Sequence, residues 1–176
     1  MEFEEKTIRE NYVYKGKILN LKKDEVELPD GKTSYREIVE HGGGAAILCE
    51  KDGKILLVKQ FRYAYKEELW EIPAGKLEKG EPPVNTAFRE LEEETGFCAE
   101  KMTHLITVYP SPGYTQEKIY IFRAEGLKKT RTNLDEDEFL RAEFVDKEKI
   151  FEMRERGEIK DAKTLVALSF IDGKMK

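Results

Sequence analysis

Glu90, Glu93 and Glu94 stand at i, i+3 and i+4 of one segment, VNTAFRELEEETGF. On a helix, residues at these spacings are neighbours. Like charges there destabilise by about 0.2–0.5 kcal/mol per pair. A sequence that accepts this conflict has a use for gathered carboxylates, and binding a divalent cation is the obvious one. Hard cations such as Mg2+ take oxygen ligands and keep several waters, which leaves room for substrate phosphates. The competing reading is a charged, solvated helix face, common in a chain in which charged residues make up 38%.

The helix that must carry these side chains is legible in the same stretch. Pro82 and Pro83 suit a first turn, where the missing N–H is not needed. Val84, Ala87, Phe88 and Leu91 follow the i, i+3, i+4, i+7 pattern of a core-facing stripe, and Gly96 fits the residue just past a helix end. At about 100° per residue, Glu90 and Glu94 lie roughly 40° apart at the edge of the apolar stripe, with Glu93 further round the same flank. Glu92 falls on the other flank and is read as solvated. A carboxylate cluster beside a buried face has walls as well as charge.

The segment also matches, without departure, a longer pattern: Gly75, five residues, Glu81, seven residues, Arg89-Glu90, apolar Leu91, one residue, Glu93-Glu94, one residue, Gly96 and apolar Phe97. This resembles the signature of the Nudix hydrolases, in which the segment forms a loop-helix-loop whose Arg-Glu and Glu-Glu residues carry the metals. The resemblance implies Glu90 and Glu94 as main ligands, Glu93 as a further ligand or catalytic support, the main-chain carbonyl of Ala74 as an additional ligand, and Arg89 as the residue that orients a carboxylate. Glu81 is either structural or joins the metal network through water. The implied cofactor is Mg2+, with Mn2+ as a substitute.

Composition agrees without deciding. The chain has 176 residues and a formal net charge of −5, enough for one sizeable core and no basic surplus that would point to nucleic acid or an acidic membrane. The sequence has no apolar run of spanning length and starts polar, so neither a membrane span nor a signal peptide is expected and a cytoplasmic location is. Cys49 and Cys98 lack metal-type spacing and read as small apolar residues in a reducing compartment. His41 and His104 are too few and too far apart for a histidine metal site.

Along the chain, residues 3–40 read as short strands with turns at Gly16 and Pro29-Asp30-Gly31. Strands are expected at Lys32–Glu40, Ala45–Cys49, Ile55–Gln60, Leu69–Ile72, Met102–Tyr109, Lys118–Ala124 and Ala142–Val145. Helices are expected at Lys147–Arg156 and Ala162–Phe170, besides the glutamate helix. This order predicts an α/β (α+β) fold with helices on both faces of a mixed sheet. It is similar to the Nudix α/β/α sandwich. Residues 1–41 resemble the small N-terminal antiparallel sheet of the ADP-ribose pyrophosphatase branch and 42–176 the Nudix domain. A homodimer formed through the N-terminal sheet follows from that resemblance alone.

Three further features address the substrate. In the ADP-ribose branch a proline lies about 15 or 16 residues beyond the signature, and Pro112, followed by Gly113, stands 16 after Gly96; otherwise the pair is an ordinary turn. In related pyrophosphatases an acidic loop after the core supplies a glutamate that orients or deprotonates the attacking water. Here Glu136 and Glu138 are the candidates, against a merely solvated loop. Arg62, at the end of an apolar strand, can grip a diphosphate by charge-assisted hydrogen bonds, with Arg36 a second candidate. Tyr12 and Tyr14 can stack on a base or simply pack in the sheet, and Trp70 is either core or pocket wall. The expected reaction is Mg2+-dependent hydrolysis of ADP-ribose to AMP and ribose 5-phosphate. Alternatives are another nucleotide-sugar such as GDP-mannose, or a catalytically silent nucleotide sensor. Pro112 argues against dinucleoside polyphosphates and oxidised nucleoside triphosphates.

Overall fold

A computed structural model describes residues 3–134 and 139–171. The chain forms two compact units. One comprises the chain up to Gly43 together with Tyr109–Lys118, and the other Gly44–Val108 together with the chain from Ile119 onward.

The first unit is an antiparallel sheet of β1 (Lys6–Arg9), β2 (Tyr12–Lys15), β3 (Leu19–Glu27) and β4 (Thr33–His41). β3 is its centre. It pairs with β4 along its whole length, while β1 and β2 pair with its two ends on the other edge. The β3–β4 hairpin closes where the sequence placed a turn: Gly31 has φ +82°, and the Asp30 carboxylate accepts the Lys32 N–H at 3.1 Å. The segment Tyr109–Lys118 joins this unit through Val39, whose N–H donates to the Tyr114 carbonyl and whose carbonyl accepts the Gln116 N–H. Nothing in a Pro-Gly turn names the strand it lies along, so this contact had no signal in the sequence.

The second unit is built on β5 (Gly44–Lys51), β6 (Lys54–Arg62), β7 (Glu67–Glu71), β8 (Ala74–Lys76), β10 (Lys101–Val108), β11 (Ile119–Glu125) and β13 (Leu140–Asp146). β5 pairs in parallel with β11 and antiparallel with β8 and β6, and β6 carries β7 and β13 on its two edges. The sheet is therefore mixed, as expected. A two-residue ladder links β9 (Phe97–Cys98) to β12 (Lys128–Lys129); neither it nor β8 was anticipated, since segments this short carry no periodicity.

Side chains alternate across a strand, and β5 shows what that achieves. Ala45, Ile47 and Cys49 join Ala87 and Leu91 of helix α1 (Pro83–Thr95) in one core layer. Ala46 and Leu48 join a second layer with Ile150 and Met153 of α2 (Lys147–Glu155) and Ala167 and Leu168 of α3 (Ala162–Leu168). This is the α/β/α sandwich expected. α3 ends at Leu168, two residues earlier than its apolar pattern suggested. Among the described residues no helix is long and apolar enough to cross a membrane.

α1 begins at Pro83 and stops at Gly96, which takes the left-handed conformation at φ 68° while its N–H donates to the Glu92 carbonyl. A Cβ on Gly96 would also stand 3.2 Å from the Thr132 nitrogen. Gly96→Ala is therefore expected to destabilise the protein by about 1–2 kcal/mol, read as a lower urea midpoint with an unchanged denaturant slope.

Candidate active site

One face of α1 and the turn from β7 into β8 build the site. Glu90 and Glu94 are 8% and 3% exposed, and Glu92 is exposed, so the wheel sorted the four glutamates correctly. A buried carboxylate must be compensated, and Arg89 does part of this. Its Nη1 donates to Glu90 Oε1 at 2.8 Å and to Glu93 Oε2 at 3.0 Å, and its Nη2 to Glu81 Oε2 at 3.2 Å. Burial works against the Arg89 charge, but the Glu81 hydrogen bond and the Glu90 charge raise its pKa above the ordinary arginine value. The Ala74 N–H donates to Glu94 Oε2 at 3.0 Å.

Gly75 explains itself sterically. A Cβ there would fall 1.8 Å from the Glu90 carboxyl carbon, so the Glu90 head occupies space that only a glycine leaves open. Glu81 is a hub at the helix entrance. Its Oε2 accepts the Thr86 hydroxyl at 2.7 Å and the Glu78 N–H at 3.3 Å. With no side-chain cap on α1, Glu81 secures the first turn through Thr86.

The donor set fits a hard divalent cation. Glu90, Glu93 and Glu94 offer carboxylate oxygens from one helix, Arg89 offsets part of their charge, and Gly75 leaves room for the Glu90 head. Among the described residues no group of three or more His, Cys, Asp or Glu side chains is placed to hold a metal ion by itself.

The other expected residues separate into three places. Arg62 lies in the same unit as the carboxylates. Its Nε and Nη2 each donate to Glu71 at 2.6 Å, and the charge of Glu94 acts on it. Trp70 is partly buried against the core layer under α2 and α3, with the Lys59 ammonium 5.6 Å from its ring centre. Arg36, Pro112 and Gly113 come together in the first unit, lining a cleft of about 850 Å3 with Lys23, Tyr35 and Tyr114. Arg36 is already engaged there: it holds Glu5 through Nε and Nη2 and donates to the Tyr35 carbonyl, so an anion would have to compete with Glu5. Tyr12 donates its hydroxyl to Glu40 at 3.3 Å, and Lys15 sits 4.1 Å from its ring centre. Tyr14 is exposed, and its ring leaves no room for a Cβ on Gly16. Glu136 and Glu138 lie outside the described residues; the chain leading to them is tied to α1, where the Asn133 N–H donates to the Glu93 carbonyl at 3.0 Å.

Sequence reasoning missed Glu71, Lys163, Asp161 and Thr164. Glu71 is 1% exposed, and the period of two that buries Leu69 also turns Glu71 inward. Its partner Lys163 is 92 residues away, and no local pattern names it.

The chain belongs to the Nudix family: the family model described as the NUDIX domain matches residues 40–168. A second model, described as the nucleoside diphosphate sugar hydrolase N-terminal domain, matches residues 5–39. The chain is similar to the ADP-ribose pyrophosphatase of Bacillus subtilis (strain 168), with 47% identity over 96% of this chain and 92% of that one. It is also similar to the methanol dehydrogenase activator of Bacillus methanolicus, with 43% identity over 96% and 93%. A solved structure described as an ADP compounds hydrolase shares the fold, with a TM-score of 0.84 at 20% identity, covering 96% of this chain and 93% of that one.

The Glu81 hub has a pH signature. Hydrogen bonds from Arg89 and then Thr86 hold its pKa down to about 2, below the ordinary 4.5. A carboxyl depressed in the folded state stabilises fully above its unfolded pKa and loses that contribution as pH falls toward its folded one. Glu81→Gln is expected to lower the melting temperature at pH 7, and its gap to the unaltered protein should narrow as pH drops below about 4.5. A gap constant from pH 7 to pH 3 would show that the charge on Glu81 contributes nothing.

Proposed function

We propose that the protein hydrolyses the pyrophosphate bond of ADP-ribose to AMP and ribose 5-phosphate, with Mg2+, or Mn2+ in its place, as cofactor. The observation that carries this is the pair of buried carboxylates, Glu90 and Glu94, set beside the Ala74–Gly75 turn and next to the Arg89 fork. The similarity to a named ADP-ribose pyrophosphatase along nearly the whole chain supports the choice of substrate.

In this reading Glu90 and Glu94, with Glu93 and the Ala74 carbonyl, hold the divalent ions. Bound there, such ions neutralise the diphosphate and make the anhydride phosphorus more electrophilic. Arg89 holds Glu90 and Glu93 in place through its Nη1 hydrogen bonds. Arg62 grips the diphosphate by charge-assisted hydrogen bonds. Glu136 or Glu138 orients the attacking water or takes its proton. Phosphorus chemistry of this kind needs mainly positioning and charge neutralisation, which is what these side chains provide. Arg36, Pro112, Gly113 and Tyr14 are the proposed contacts to the rest of the nucleotide.

Glu94→Gln keeps the shape of the side chain and removes its charge. It is expected to lower Mg2+-dependent AMP release from ADP-ribose by about 100-fold or more, with the fold retained by circular dichroism. Near-normal turnover would take Glu94 out of the mechanism, and faster release of GMP from GDP-mannose than of AMP from ADP-ribose would change the substrate.

We also propose that the protein is a cytoplasmic homodimer joined through the N-terminal sheet. That unit leaves Ile8, Tyr12, Val13, Tyr14, Ile18 and Tyr35 exposed, more apolar surface than an isolated small sheet comfortably shows to water. Both cysteines are unpaired, as in a reducing compartment. Light scattering is expected to give twice the chain mass, and Val13→Glu combined with Ile18→Glu to shift it toward the monomer.

A further inference from the structure

The second unit holds a chain of buried charges that the carboxylate cluster does not account for. Glu71 accepts two parallel hydrogen bonds from Arg62 and a third from Lys163. Lys163 is 8% exposed and also donates to Asp161 at 3.0 Å. Asp161 in turn caps α3 by accepting the Thr164 N–H and hydroxyl, at 2.9 and 2.6 Å. The Thr164 oxygen accepts the Ile72 N–H at 2.8 Å. Two residues beyond Ile72, the Ala74 N–H holds Glu94.

Such a network is costly. Replacing a buried ion pair by apolar groups is often neutral or stabilising, so stability alone is a weak reason to keep one. Its geometry offers another. Arg62 spends Nε and Nη2 on Glu71, and among the described residues its Nη1 edge makes no hydrogen bond. Its side chain is 40% exposed, so the guanidinium is not sealed inside the core. Burial pushes the Glu71 carboxyl up, yet the Arg62 hydrogen bonds and the Lys163 charge hold it below the usual carboxylate range, so the anchor stays ionised at neutral pH. A free arginine loses about 2 kcal/mol of rotamer freedom when it clamps a ligand; one already locked by a fork does not.

We propose that Glu71 is a positioning residue: fixed from behind by Lys163, it pre-aligns the Arg62 guanidinium so that its Nη1 edge meets the substrate diphosphate. From Glu71 the chain runs on through Ile72 and Pro73 to Ala74, so one short stretch sets both the arginine and the Glu94 carboxylate, and the anion is gripped from two sides at a fixed spacing. This inference rests on the reading of Arg62 as a diphosphate ligand.

A double-mutant cycle separates the two. The probe is α,β-methylene ADP-ribose, which is not cleaved, titrated by calorimetry with Mg2+ present; kcat/KM for ADP-ribose and the melting temperature are measured alongside. Arg62→Ala is expected to weaken binding by about 10- to 100-fold, the worth of one charge-assisted contact. Glu71→Gln in the unaltered protein should weaken it by about 10-fold. On the Arg62→Ala background the same change should cost less than about 2-fold, although the melting temperature falls in both. Glu71→Asp, which keeps the charge and favours folding, should give a smaller loss with the same dependence on Arg62. Equal losses from Glu71→Gln on both backgrounds would mean general damage and overturn the proposal, as would an unchanged affinity in Glu71→Gln. Wild-type affinity in Arg62→Ala would instead remove Arg62 from the diphosphate site.

Discussion

Mutual repulsion among carboxylates is the constraint that the second unit is built to bear. Four of them, Glu81, Glu90, Glu93 and Glu94, crowd the entrance and one flank of α1, and two are buried. Left alone, like charges this close would work against the helix. The fold offsets this with one guanidinium shared three ways, a backbone N–H aimed at Glu94, and a glycine that makes room for Glu90. None of these removes the negative charge. They hold it in place, and a fixed excess of negative charge at the edge of a rigid element is what an ion and a phosphate chain together can neutralise.

The sheet supplies the rigidity. Because β5 is apolar on both faces, it packs against α1 on one side and against α2 and α3 on the other. The helix that carries the acids is thus pinned through Ala87 and Leu91 on the face beside them. The Glu71 network works at the opposite end of the same strip, where α3 is tied to the turn before Ala74 by Thr164 and Asp161. Charge is gathered on one helix and opposed from one strand end, and both are referred to the same core.

How much of this could be read from the sequence depended on distance along the chain. The glutamate helix was legible because its stripe, its proline start, its glycine stop and its acids all fall within 23 residues and obey one period. The strands of the core were legible from apolar runs between turn residues. Gly75 could be located by pattern, but its reason, a carboxylate where a methyl would go, is a contact 15 residues distant. Arg62 was legible as a strand-end cation, whereas the Glu71–Lys163 pair that holds it spans 92 residues and has no local signature. That residues 109–118 lie along Val39 was not legible for the same reason, since a backbone ladder leaves no mark on side-chain chemistry.

That ladder carries a corollary for the history of the chain. The polypeptide passes between the two units three times, at 43–44, 108–109 and 118–119, so the amino-terminal sheet is not a detachable bead on a string. A gene rearrangement that dropped the first forty residues would strand a ten-residue tongue whose Tyr114 carbonyl and Gln116 N–H pair with Val39 and would then need water or new partners. The front of the gene and the stretch that encodes the tongue are thereby bound to be inherited, recombined or lost together.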